Sequence, residues 1–246
     1  MADEGLDYGA FDALTFDCYG TLIDWEAGIL AGLRPALATV AAGTTDDEVL
    51  EVYGRAEAIA EAGPYRRYRE ILARCYRDVC EHFGAPSRDE AAMAFGASVA
   101  DWPAFPDSAE ALRQLQSRYR LGVITNCDDD LFAASNRRLG MRFDWVITAQ
   151  SVGSYKPDPR NFTAAFARIG LPRERILHVA QSLFHDHAPA KALGISTAWI
   201  DRRHDRPGLG ATPAAAVTPD AAFPDMAAFA ATATGRNAGS ARDSTP

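Results

Sequence analysis

The stretch ALTFDCYGTL, residues 13–22, opens with four apolar or β-branched residues, stops at a carboxylate and passes at once into a Gly-Thr pair. Residues 13–16 read as a short buried strand, and Gly20 as the residue that lets the chain turn straight after it. A buried carboxylate without partners is costly. Asp17 therefore either caps a turn or belongs to a site, and the decision rests on what other strands bring to the same end.

Beyond residue 105 similar runs recur: LGVIT (121–125), WVIT (145–148), ILHVA (176–180) and STAWI (196–200). Between them, 108–117, 130–139, 161–169 and 186–193 carry helical periodicity, with Gly140, Gly170, Pro172 and Gly194 at the joins. Strand–helix alternation of this kind predicts an α/β fold: a Rossmann-like parallel sheet core with helices on both faces. Residues 25–101 break the alternation. EVLEVYGRAEAIAEA and YREILARCYRDVCEHFG carry apolar residues at three- and four-residue steps, divided by Gly63-Pro64 and closed by Gly84. The expected organisation is a core of residues 1–24 and 103–232, an inserted helical cap domain of 25–102, and a disordered tail at 233–246, where ATATGRNAGSARDSTP is small, polar and aperiodic. An insertion after the first strand lies over the carboxyl ends of the strands, where open α/β sheets bind ligands.

The 246 residues are 48% hydrophobic and 24% charged, an ordinary globular composition, and the formal net charge of −8 disfavours a nucleic-acid partner. Cys18, Cys75, Cys80 and Cys127 have neither metal-site spacing nor the density of a disulfide framework. The amino-terminal MADEGLDYGA lacks the basic and apolar regions of a secretory signal, and no apolar run reaches the ~18 residues of a membrane span. The expectation is a soluble cytoplasmic protein without membrane contact.

Polar groups stand at or beyond the ends of several expected strands: Asp17 after the first, Thr125 and Asn126 at the second, Lys156 in SYKPDP beyond the third, Gln181, Ser182 and Asp186 after ILHVA. Singly, each has an ordinary structural explanation, such as a turn, a helix cap or a surface lysine. Together, in a parallel sheet whose strand ends point one way, they converge on one crevice. A carboxylate there can act as a nucleophile. A lysine keeps it ionised, a hydroxyl and an amide orient it or hold an anion, and a second carboxylate helps to activate water.

FDCYGTL, VITN, SYKPDP and HVAQSLFHDHAPAKALG, in that order, resemble the four motifs of the haloacid dehalogenase superfamily. Phosphatases of that superfamily carry an Asp two residues after the nucleophile, where this chain has Tyr19, and a G-D-x-x-x-D arrangement at the fourth strand, where Gln181 replaces the first Asp. The D-x-Y-G-T-L form is instead similar to that of the L-2-haloacid dehalogenases. That resemblance implies a metal-free, cofactor-free hydrolase of short 2-halocarboxylic acids: Asp17 forms an ester with C2 and expels halide, and water then releases the acid. It further implies roles for Lys156, Asp186, Thr125 and Asn126 in catalysis and for Tyr19, Thr125, Asn126, Gln181 and Ser182 around the substrate, with homodimerisation common. The halide cradle is expected from a cap arginine, Arg55 or the Arg66, Arg67 and Arg69 cluster, with Trp25 as pocket wall or hinge packing. Two departures stand out. Leu183 replaces the Asn of a Ser-Ser-Asn stretch, and Phe162 replaces an aromatic hydroxyl six residues after the lysine. His185 and His187 flank Asp186, and either could serve as base or contact. A Mg²⁺-dependent phosphatase and a non-catalytic carboxylate binder are the competing readings.

Overall fold

The computed structural model describes residues 5–206 and 208–235. Among these, six strands form one parallel sheet: β1 (Ala13–Phe16), β2 (Arg120–Thr125), β3 (Trp145–Thr148), β4 (Ile176–Ala180), β5 (Ser196–Ile200) and β6 (Ala221–Phe223), in the order β3-β2-β1-β4-β5-β6. Five stand where the apolar runs predict. The sixth, three residues long, carries no periodic signal of its own and is placed by pairing Ile200 with Phe223.

β1 lies between β2 and β4, with Phe16 level with Val123 and Val179, and all four of its residues are buried. Alternate residues enter opposite faces. Leu14 and Phe16 join the larger apolar cluster, whereas Ala13 packs with Ile124, Ile147, Phe162 and Ile176 in a second one. A strand covered on both sides needs apolar residues throughout, which is why ALTF shows no alternation. The chain leaves β1 toward β2 and β3, then returns to place β4 on the other flank of β1. That reversal opens the crevice at the carboxyl ends.

Four helices follow β1: α1 (Trp25–Leu37), α2 (Asp46–Glu61), α3 (Tyr68–His82) and α4 (Asp89–Ala97). α2 begins with a reciprocal capping box, Thr45 with Glu48, and three acids occupy its first turn, as the helix dipole favours. The later helices are α5 (Ser108–Gln116), α6 (Asp129–Leu139), the single turn α7 (Ala149–Val152), α8 (Arg160–Ile169), α9 (Ala188–Ala192) and α10 (Met226–Ala233). The expected helix at 186–193 starts later, because residues Leu183–His187 form a π-helical turn first. Ala233, placed in the tail by composition, instead ends α10 fully buried, and its carbonyl accepts the Tyr119 hydroxyl at 2.6 Å. Thr234 caps that helix, and the expected tail from residue 236 lies outside the described residues. No described helix is long and apolar enough to cross a membrane.

Two adjacent chain segments join the helical segment to the sheet. Ile23 bridges Ala104, the Asp24 N–H donates to the Pro103 carbonyl at 2.8 Å, and the Phe105 N–H donates to the Leu22 carbonyl at 3.1 Å. Beside this junction Gly28 of α1 lies against the buried Trp102 ring, where an added Cβ would stand 2.3 Å from ring atoms. Gly28→Ala gains up to ~1 kcal/mol of helix propensity but forces an overpacked ring worth ~1–3 kcal/mol. The clash wins, so urea unfolding will show a net loss of stability.

Candidate active site

Asp17 continues the sheet by one residue: its N–H donates to the Val179 carbonyl at 3.1 Å. The chain then turns tightly, with the N–H groups of Leu22 and Ile23 both donating to the Cys18 carbonyl at 2.8 and 2.9 Å. Gly20 adopts φ +93°, and a Cβ there would come within 3.0 Å of Trp25 Nε1. Both the dihedral and the space call for glycine. The turn brings Thr21 back over the strand end. Its hydroxyl donates to Asp17 Oδ2 at 2.8 Å and accepts the Gln181 N–H at 2.9 Å, tying β1 to β4.

Lys156 reaches the same point from the loop between α7 and α8. Its ammonium donates to Asp17 Oδ1 (2.8 Å), Asp186 Oδ1 (2.6 Å) and the Ile124 carbonyl (2.9 Å), so all its protons are used. Asn126 fixes the loop: its Oδ1 accepts the Lys156 N–H at 2.7 Å and its Nδ2 donates to the Lys156 carbonyl at 3.0 Å. Asp186 is supplied by the π-helical turn, which Ser182 caps by accepting the His185 N–H at 2.9 Å. Behind Asp186 stands His178, in the middle of β4. His178 Nε2 lies 3.0 Å from Asp186 Oδ1, and Nδ1 lies 2.9 Å from the Thr15 hydroxyl. With Asp186 ionised, Nε2–H donates to it and Nδ1 accepts from Thr15.

Burial works against the charge of Lys156, but Asp17 and Asp186 outweigh it and hold the ammonium above its ordinary range. Burial also opposes ionisation of Asp186, yet the Lys156 charge and the hydrogen bonds from His178 and Lys156 keep it well below the usual carboxylate range. For Asp17 burial pushes upward, resisted by Lys156 and Thr21. Burial lowers His185 to about 4 and His187 to about 4, so both rings are neutral near pH 7.

The crevice is closed by the helical segment. A cavity of about 30 Å³, room for one water molecule, is bounded on the sheet side by Asp17, Tyr19, Asn126, Lys156, Ser182, His185 and Asp186. Trp25, Glu57 and Glu61 of α2, and Tyr68 of α3 complete it. Glu57 Oε1 accepts the Tyr53 hydroxyl at 2.7 Å and the Tyr68 hydroxyl at 2.9 Å, and Asn126 Nδ2 lies 3.2 Å from Glu61 Oε2. Burial raises Glu57 to about 7 and, together with the Glu57 charge, Glu61 well above its ordinary value.

Of the residues marked by the sequence, the structure gathers Asp17, Lys156, Asp186, Asn126, Ser182, Tyr19 and Trp25 around this cavity. Four expectations need correction. The candidate arginines do not line it. Arg55 is exposed and pairs with Glu51 at 4.0 Å, because two residues turn a helix by about 200° and Glu57 faces inward. Arg66 and Arg67 lie exposed in the turn before α3, and Arg69 is held by Asp128 and Asp130 at 3.0 and 2.6 Å. Gln181 turns its amide aside, where Oε1 accepts the Thr212 hydroxyl at 3.2 Å. Thr125 is buried, with a hydroxyl that makes no hydrogen bond and does not line the cavity. His187 points back to the Ala180 carbonyl at 2.9 Å, whereas His185 lines the cavity. Sequence reasoning missed His178, Thr21, Glu57 and Glu61. A histidine inside an otherwise apolar strand and two glutamates four apart on an alanine-rich helix were the available signals.

Among the described residues no group of three or more His, Cys, Asp and Glu is arranged to hold a metal ion. Asp17 and Asp186 share an ammonium, and the neutral Gln181 is turned toward Thr212. This donor set does not fit Mg²⁺, a hard cation that favours several charged oxygens.

A family model described as haloacid dehalogenase-like hydrolase matches residues 11–194. The chain belongs to that family. It is 27% identical over 197 residues to an (S)-2-haloacid dehalogenase of Pseudomonas putida, covering 78% of this chain and 85% of the relative. A phosphoserine phosphatase of Thermus thermophilus is 32% identical over 152 residues, covering 59% of each. The fold matches the L-2-haloacid dehalogenase of Xanthobacter autotrophicus, solved with chloropropionic acid covalently bound, with a TM-score of 0.75 at 18% identity over 92% of this chain and 100% of that one.

In this hydrolase, Lys156→Met leaves two buried carboxyls without their cation, a loss of ~3–5 kcal/mol. Urea unfolding at neutral pH will show it. The deficit will shrink as pH falls through the ordinary carboxylate range. Asp186, depressed in the folded state, contributes its full stability above its unfolded value and loses it as pH falls from there toward its folded value, while protonation relieves the unpaired charges of the variant.

Proposed function

We propose that the protein cleaves the carbon–halogen bond of short 2-halocarboxylic acids through an ester on Asp17, with residues 25–102 acting as a cap over the core. The reading is carried by one observation. Asp17 is held as a nucleophile by Lys156 and Thr21, while the position two residues on offers Tyr19, whose hydroxyl is engaged by Ser135 at 2.9 Å and Cys127 at 3.3 Å. Burial holds that phenol well above its ordinary value. It is a poor proton donor to a leaving alkoxide, and a departing halide needs none.

Asp17 attacks C2 in line with the halogen, forming the C–O bond as the C–halogen bond breaks and the halide takes the bonding pair. The Ser182 hydroxyl, which lines the cavity, donates to the substrate carboxylate, and Asn126 keeps the lysine loop beside it in place. Water then adds to the Asp17 carbonyl carbon, and the 2-hydroxy acid leaves with inverted configuration at C2. His185 receives the water proton. His185 acts in the tautomer whose Nδ1–H donates to Ser182 Oγ at 3.1 Å, which leaves the lone pair of Nε2 to the water. Asp186 stabilises the charge that forms on the ring. This replaces the water-positioning Asn that Leu183 lacks.

The phosphatase reading fares worse. A phosphate ester brings two negative charges to a cavity with four carboxyls and one lysine, whereas a haloacid brings one. Incubation with L-2-chloropropionate in EDTA will release chloride and D-lactate, and Asp17→Asn will abolish both. Mass spectrometry of the quenched reaction will find the substrate's added mass on the peptide containing Asp17. Mg²⁺-dependent phosphate release from a generic ester, with no chloride, would overturn the proposal.

A further inference from the structure

Building on that reading, we propose that Glu57 and Glu61 form a proton-bearing wall for the leaving halide and substrate, taking the place of a cationic cradle. In-line displacement puts the halogen on the far side of C2 from Asp17. In this cavity the far side is the cap, and the cap presents Glu57, Glu61 and Tyr68 rather than any arginine.

Charge counting supplies the argument. Among the described residues Lys156 is the one lysine or arginine lining the cavity, and Asp17 and Asp186 already share it. An ionised Glu57 and Glu61 would leave three uncompensated negative charges around one small cavity, and a haloacid would add a fourth. Neutral glutamic acids cut that excess from three charges to one and turn repulsive acceptors into donors. Burial favours the neutral form, outweighing the hydrogen bonds from Tyr53, Tyr68 and Asn126 and the Lys156 charge, which favour the anion. On α2, Glu57 and Glu61 face each other's turn, with Tyr53 beside them; α3 contributes Tyr68 and Cys75, also uncharged. The core contributes Asn126, Tyr155, His185 with Nε2 at 3.8 Å from Glu61 Oε2, and Lys156, whose protons are committed elsewhere. Tyr53 and Tyr68 both donate to Oε1 of Glu57, leaving Oε2 to carry the proton. The glutamates keep their protons through displacement: they donate hydrogen bonds to the halide, and no proton is transferred.

The wall works only while protonated. Burial raises both acids, Glu57 to about 7, so the donors are present on the acid side and that of Glu57 is lost as pH rises past that point. Chloride release from L-2-chloropropionate, measured from about pH 5 to about pH 10, will give a kcat/KM that falls on the alkaline side by about tenfold per pH unit for each proton lost. Glu61→Leu, which removes the donor, will cost on the order of 100-fold at low pH. Glu61→Gln will lose less than Glu61→Leu, and the Glu57→Gln/Glu61→Gln double variant will show no alkaline fall. Circular dichroism will confirm that each variant is folded. Carboxyl ¹³C shifts of the whole chain will find both glutamic acids protonated at pH 6. Chloride release with a flat or rising profile, greater loss in Glu61→Gln than in Glu61→Leu, or ionised glutamates at pH 6 would overturn this role while leaving the dehalogenase reading intact. An absence of chloride at every pH would instead overturn that reading, and this inference with it.

Discussion

One ammonium organises the site. Lys156 bonds two buried carboxyls and a strand carbonyl, and those three acceptors come from the ends of β1 and β2 and from the turn after β4. Burying any of these charges alone is prohibitive. Each is tolerable only because the others are within about 3 Å, so the sheet must hold its register for the cluster to exist. Asn126 clamps the lysine's own backbone, Thr21 fixes the second oxygen of Asp17, and His178 fixes Asp186 through Thr15. The chemistry proposed for Asp17 depends on this frame, since a carboxylate that turns freely has no preferred line of attack.

The opposite wall has a different logic. Where the sheet side pairs its charges, the helical side buries acids with uncharged partners: Tyr53 and Tyr68 on Glu57, Asn126 on Glu61. Paired charges hold their ionisation over a wide pH range, whereas acids supported by neutral groups titrate near the working pH. One site thus contains Asp186, held as an anion by Lys156 and His178, and two glutamic acids that burial pushes toward the protonated form. Pushing the acidities of like groups apart is a recurrent way of giving them separate tasks.

Much of this was legible in the chain. Five of the six strands announced themselves as short apolar runs rich in β-branched residues, which the buried middle of the sheet requires and the edge strand β3, with Val146 exposed, shares. The motif residues Asp17, Lys156 and Asp186 could be tied to one crevice because parallel strands end on one side. Arg55 misses the cavity for a reason internal to helices: Arg55 and Glu57 are two residues apart, so only one can face the core. Which one does so depends on how α2 is rotated against the sheet. His178 escaped notice because a histidine amid apolar residues looks like a tolerated core position until Asp186 and Thr15 are seen on either side of it.

By itself the sequence determined the fold class, the order of elements and the identity of the groups at the strand ends. Those follow from local periodicity and from the direction of a parallel sheet. Only the tertiary structure decided which wall faces Asp17. The rotation of α2, the turn of Gln181 toward Thr212 and the opposite orientations of His185 and His187 are set by packing between segments distant in the chain. The charge balance of a closed cavity is the sum of all of them. No local stretch contains that sum.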